Sequence, residues 1–264
     1  MTTRILKLEN RAVLRLSGAE TVSFLNGLVT NDVELVKDGA VYGALLTPQG
    51  KFLFDMIIVA DGDDLLLDIE AERKPQLLQR LMMYKLRADV EISEEDASVW
   101  ALIGGDADFG VQFKDPRHKA LQSRVISKDN PSPDAEVLAQ TDYEERRIRH
   151  GVPDGSRDMM VEKYFWLETN AEKINGVSFT KGCFVGQELT ARMKHRTTLK
   201  KMITPVKVSG PVEAGAEIKT SEGKNAGTIH TSANGYALAY MRLEHLESEL
   251  VAGDIAVSAN LRAD

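Results

Sequence analysis

The chain has 264 residues, 43% hydrophobic and 28% charged, with room for one large domain or two modest ones and a core that needs no disulfide. Its 33 Lys plus Arg face 40 Asp plus Glu, and the net −7 argues against a basic nucleic-acid coat, because duplex binding rests on neutralising phosphates. One cysteine, Cys183, excludes an intrachain disulfide and a cysteine-rich zinc or iron–sulfur site; the five histidines are scattered without metal-ligand spacing.

In chain order, residues 11–16 alternate like a strand, and Ser17-Gly18-Ala19-Glu20 has the form of a capping box. The helix expected after it buries Phe24, Leu25, Leu28 and Val29. Thr47-Pro48-Gln49-Gly50 is a tight turn, with Pro presetting φ and Gly in fourth place. It joins strand 41–46 to strand 51–59, where Phe52, Phe54, Met56 and Ile58 are expected on one face and Leu53, Asp55, Ile57 and Val59 on the other. Asp61-Gly62-Asp63 turns into a strand over 64–69. A helix with Leu77, Leu78, Leu81 and Met82 on one face follows, then short strands near 89–92 and 98–103. Asn130-Pro131-Ser132-Pro133-Asp134 reads as a linker, with Asp134 capping a helix over 135–149 and Gly151 ending it. From Met202 onward short strands are broken by glycine-rich turns, the pattern of a small barrel or sandwich. The fold class is α+β with a largely antiparallel sheet.

No apolar stretch nears the roughly 20 residues of a membrane span, and Met1 to Lys7 meets charge too early for a secretory signal. By the same reading, an Arg- and Ser-rich presequence is not expected at this opening. The expectation is a soluble protein of a reducing compartment.

Chemistry concentrates between residues 179 and 196. Lys181-Gly182-Cys183 sets the lone thiol two residues from an ammonium, Gly186 allows a tight turn or close approach, and Gln187 to Lys194 are helix formers. A helix N-terminus and Lys181 would both favour the thiolate; a small buried hydrophobe is the commoner fate of a free cysteine. Residues 181–201 hold six cations and one anion, which leaves −12 for the rest. Such a stripe suits an anionic partner (a polyglutamate tail, a phosphate or RNA) or a solvated helix face.

Lys181-Gly182-Cys183-Phe184-x-Gly186-Gln187-Glu188-x-x-Ala191-Arg192 resembles the signature of the YgfZ-type folate-binding proteins. These are relatives of the glycine-cleavage aminomethyltransferase and include mitochondrial assembly factors for [4Fe–4S] proteins. The blocks Arg15–Gly18 with Phe24–Asp32, Ala44–Lys51, Arg147 with Gly151-Val152-Pro153, and Leu167–Asn170 extend the likeness from residue 11 to about 196. Phe184 stands where Tyr is usual, and Thr197-Thr198 replace a usual Gly.

The resemblance implies a GcvT-like folate-binding domain of two α+β subdomains over 1–197 and a β-barrel over 198–264. It implies tetrahydrofolate, or a one-carbon derivative, as cofactor and no permanent metal or cluster. Glu168, then Asp55, would meet the pterin donors, with Arg147 and Arg192 drawn to the glutamate tail. Cys183, with Lys181, would be the nucleophile or transient ligand of an accessory factor for assembly or repair of [4Fe–4S] clusters. The alternative is a folate-dependent aminomethyl transferase in which Asp55 works on a folate nitrogen. Expected partners are folate and iron–sulfur client or assembly proteins rather than a membrane, with tRNA less favoured. The expected location is a bacterial cytoplasm, or the mitochondrial matrix in a eukaryote.

Overall fold

The computed structural model describes residues 2–259; Met1 and 260–264, the outer ends of the two expected domains, lie outside the described residues. Among the described residues, sixteen strands and five α-helices form two five-stranded sheets, one closed barrel and the helices packed on them. The first sheet comprises β1 (Arg4–Lys7), β7 (Ser98–Ile103), β8 (Val111–Lys114), β9 (Ser123–Ser127) and β10 (Glu136–Val137), in the order β10-β1-β7-β9-β8. The second comprises β2 (Arg11–Ser17), β3 (Val41–Leu46), β4 (Phe52–Asp61), β5 (Asp64–Glu70) and β6 (Glu91–Glu95), in the order β3-β4-β5-β2-β6. Among the described residues only β1 and β10 pair in parallel. No helix among the described residues is long and apolar enough to cross a membrane.

The second sheet buries both faces, which is why β3 and most of β4 are apolar throughout. One face packs on α1 (Thr21–Asn26) and α2 (Lys74–Lys85) through Leu25, Leu77 and Leu81. The other shares with the first sheet the largest core, which includes Val13, Ile57, Val99 and Trp166. A bulge opposite Leu45/Leu46 corrects the expected alternation of β4. Phe52 joins the Ile57 and Val59 face, and Leu53 joins Phe54, Met56 and Ile58.

Three local expectations are also corrected. The capping box does not form: Ser17 ends β2, Gly18 takes φ +112° against the Asp89 carbonyl, and Glu20 Oε2 accepts from Asp89 N instead. Residues 136–137 are a strand, so the helix runs only from Gln140 to Arg149 (α3) and Asp134 does not cap it, although Gly151 has the expected positive φ of +66°. Met82 lies outside the buried face of α2, 51% exposed.

A chain of buried charges joins the two sheets. Arg11 Nε bonds Asp68 Oδ1 at 2.6 Å, Asp68 also meets Arg124, and Asp115 receives Arg124 Nε at 3.0 Å and Arg117 Nη2 at 2.7 Å. Burial alone would raise the Asp115 carboxyl, but Arg117 and Arg124 hold it well below the usual range. Arg11, Arg147 and Arg157 do the same for Asp154, which caps neither helix nor turn by its side chain.

The barrel is β11-β14-β13-β12-β15-β16, from β11 (Lys201–Val208) through β12 (Glu217–Thr220), β13 (Asn225–Ala233), β14 (Tyr236–Arg242) and β15 (Leu250–Ala252) to β16 (Ile255–Ser258). It has its own core around Ile218, Ile229 and Met241. Polar contacts dock it: Thr231 Oγ1 donates to Asp158 Oδ1 (2.7 Å) on α4 (Gly155–Asp158), and Tyr164 Oη lies 2.9 Å from His230 Nε2.

Candidate functional site

The segment that holds the thiol is gripped by the two N-terminal motif blocks. Ser178 N donates to Thr30 O at 3.0 Å. Lys181 Nζ then donates to the carbonyls of Asn26, Val29 and Asn31 at 2.6, 2.8 and 2.7 Å. Gly186, at φ +84°, sits so close to the Thr47–Gly50 turn that a Cβ would lie 2.6 Å from Thr47 O. Phe184 is buried between these anchors, and α5 (Gln187–Arg196) begins directly after Gly186. Between the anchors Gly182 and Cys183 are exposed, and the thiol makes no hydrogen bond among the described residues.

Lys181 therefore has a different role from the one expected. Its three N–H bonds are used by carbonyls, so it fastens the loop and makes no hydrogen bond to Cys183. Burial pushes its ammonium down to about 8, which leaves the charged, triply donating form dominant at pH 7. Lys181→Met removes the donor from all three carbonyls and should cost about 2 kcal/mol, read as a lower urea midpoint at unchanged slope.

Asp55 lies on β4, 2% exposed, in the shared core. Its Oδ2 accepts from Tyr42 Oη at 3.2 Å, and its Oδ1 is a buried acceptor with no partner among the described residues. Burial pushes its carboxyl above the usual range, against the pull of Arg11 and with a further push from Asp154. The site thus holds a buried acid biased toward its neutral form. A second orphan acceptor, Asn170 Oδ1, is also buried.

Glu168 faces other neighbours. It sits in the 3-10 turn Trp166–Thr169, where its Oε2 accepts from Phe165 N at 3.1 Å, and burial, together with its charge, raises the phenol of Tyr240 in the barrel. No hydrogen bond or ion pair joins Asp55, Glu168 and Cys183 to one another. Arg147, expected at a glutamate tail, is 1% exposed and uses all five donors on Glu144, Val152 O, Asp158 and Thr231. It is a docking residue for the barrel, because Thr231 belongs to β13. Arg192 is exposed on α5 and pairs with Glu188, four residues earlier, at 2.9 Å.

Several residues that sequence reasoning passed over build the site. Asn31 Nδ2 bonds the carbonyls of Tyr42 (2.8 Å) and Asn175 (2.7 Å). Trp166, fully buried, donates to Gly176 O at 2.9 Å and stacks on Phe52. Asn31 lay inside a quoted motif block; Trp166 carried no signal beyond being one of two tryptophans. No group of three metal-ligating side chains occurs among the described residues.

Residues 200–263 match the family described as the CAF17 C-terminal beta-barrel domain. The crystal structure of the glycine cleavage system aminomethyltransferase T from Bartonella henselae shares the fold, with a TM-score of 0.74 over 98% of this chain and 85% of that one at 13% identity. The human iron-sulfur cluster assembly factor IBA57, mitochondrial, is 28% identical over 92% of this chain and 79% of its own. The mouse protein of the same name is 30% identical over the same shares. On that likeness, carried along nearly the whole sequence and joined to an aminomethyltransferase-type fold with a CAF17-type barrel, the chain belongs to the IBA57 family.

Proposed function

We propose that this protein supports assembly or repair of [4Fe–4S] clusters on client proteins, in the matrix of a mitochondrion or in a bacterial cytoplasm, with Cys183 as a transient thiolate ligand. The observation that carries the reading is a lone thiol presented to solvent by a loop clamped at Lys181 and Gly186. Among the described residues no base lies within hydrogen-bond reach of Cys183 to take up its proton, whereas a ligand needs only exposure and a fixed position. The names of the IBA57 relatives support the same reading.

Tetrahydrofolate is the proposed cofactor, and the chemistry of Asp55 fits it: its Oδ1 is a buried acceptor without a donor among the described residues, and a pterin edge offers N–H donors. Asp55 is the better candidate than Glu168, whose carboxylate already accepts from Phe165 N. When bound, folate would supply one-carbon chemistry; Asp55 would hold the ring.

Two substitutions test this together. Cys183→Ala should abolish recovery of a cellular [4Fe–4S] enzyme while leaving tetrahydrofolate calorimetry unchanged. Asp55→Asn should weaken that calorimetric binding about tenfold or more. Because the carboxyl of Asp55 is raised in the fold, its ionisation opposes stability increasingly as pH rises above the unfolded value near 4. The Asn variant should therefore melt no lower than wild type at pH 7. Full cluster-enzyme recovery with Cys183→Ala would sink the assembly role. Aminomethyl turnover by the purified protein, lost in Asp55→Asn, would establish the transferase reading in its place.

A further inference from the structure

Helix α2 presents an apolar strip on the side opposite its core face. Leu77 and Leu81 are buried, whereas Met82, Met83 and Leu86 are 51%, 64% and 86% exposed. At about 100° per residue, Met82 and Met83 stand together on the last turn of α2, with Arg80 along one border and Lys85 along the other; Leu86, at φ +46°, and Arg87 follow in the turn directly past the helix end. None of those three cations makes an ion pair among the described residues. Residues 73–88 hold five cations and no acid, so the chain outside them carries −12.

We propose that this strip docks an acidic amphipathic helix of a partner protein. Its apolar side would sit on the two flexible methionines and Leu86, and its carboxylates would meet Arg80, Lys85 and Arg87. The inference goes beyond the cluster-assembly reading and does not depend on Cys183. Charge selects the occupant. A second copy joined through the same strip by a two-fold axis would bring cations against cations. An anionic bilayer would attract the strip but repel the −12 of the remaining surface, and the strip lacks the Trp or Phe that anchor interfacial helices. A short acidic helix meets only the local field, whose reach is about 8–10 Å at physiological salt.

The test uses the full chain and a fluorescent synthetic helix of about 16 residues, with leucines on one face flanked by glutamates. Fluorescence anisotropy should show binding that weakens about tenfold or more in Arg80→Glu/Lys85→Glu/Arg87→Glu, and again in Met82→Ser/Leu86→Ser. Both variants should melt as wild type does, since the altered side chains lie outside the core. A control helix with lysines in place of the glutamates should not bind. Four results would overturn the proposal: no binding of the acidic helix, equal binding by the charge-reversed variant, binding of the lysine helix, or a preference for phosphatidylglycerol vesicles. A concentration-dependent dimer lost in Met83→Ser would overturn it as well.

Discussion

Asp115→Asn should lower the unfolding free energy by about 3–5 kcal/mol, a large part of the roughly 5–15 kcal/mol that holds a typical domain together. Asp115 receives Arg117 through two side-chain bonds and Arg124 through a third, all in a region closed to water. Without the carboxylate, Arg117 is left with one amide oxygen at 115 and a long bond to Pro153 O at 3.4 Å, and becomes a buried charge without a counterion. The double variant Asp115→Asn/Arg117→Met should recover part of the loss, and a double-mutant cycle in urea reads that coupling. The pH dependence follows from the sign of the shift. Because the Asp115 and Asp154 carboxyls are held below their usual range in the fold, they stabilise it above about pH 4 and release that stability as pH falls further. The acid limb of the stability curve should therefore be steep in wild type and shallower in Asp115→Asn.

Gly186→Val should both destabilise the protein and inactivate it while leaving the thiol in place. A Cβ there would meet Thr47 O at 2.6 Å and Gly50 Cα at 3.1 Å, backbone atoms that cannot rotate away, and φ +84° is strained for any side chain. Steric and conformational costs together come to about 2–5 kcal/mol. The chain can reduce that cost only by lifting the loop off the Thr47–Gly50 turn, which moves Cys183. Gly182 provides the contrast: it borders the same cysteine, and a Cβ there would meet nothing within 4 Å. Gly182→Ala should keep both the melting temperature and cluster-enzyme recovery. Equal behaviour of the two variants would show that the position of the thiol is not what the glycine secures.

The two results bear on one design. Lys181 and Gly186 tie the thiol loop to segments more than a hundred residues earlier, and the Arg–Asp chain fixes the sheets from which one of those segments extends. Buried ionic pairs seldom add net stability over apolar packing. Here they sit where two sheets must meet in one register, and the same region leaves Asp55 with an unpaired oxygen.

How much was legible in the sequence depends on how local each cause was. The Thr47–Gly50 turn, the Gly62 turn, the α5 helix and the glycine-punctuated barrel follow from short-range φ preferences and periodicity, and all were readable along the chain. The capping box failed because Glu20 found a partner at Asp89, sixty-nine positions away. The face of β4 was misread at Phe52 and Leu53 because a bulge is set by the partner strand. Arg147 looked like an anion-binding cation because its Asp158 and Thr231 partners are adjacent only after the barrel docks. By itself, then, the sequence determined the turns, the barrel, the lone thiol and the glycine beside it. Only the tertiary structure decided which charges are consumed internally and which groups remain free, because a hydrogen-bonding group's availability depends on what long-range packing brings within about 3 Å of it.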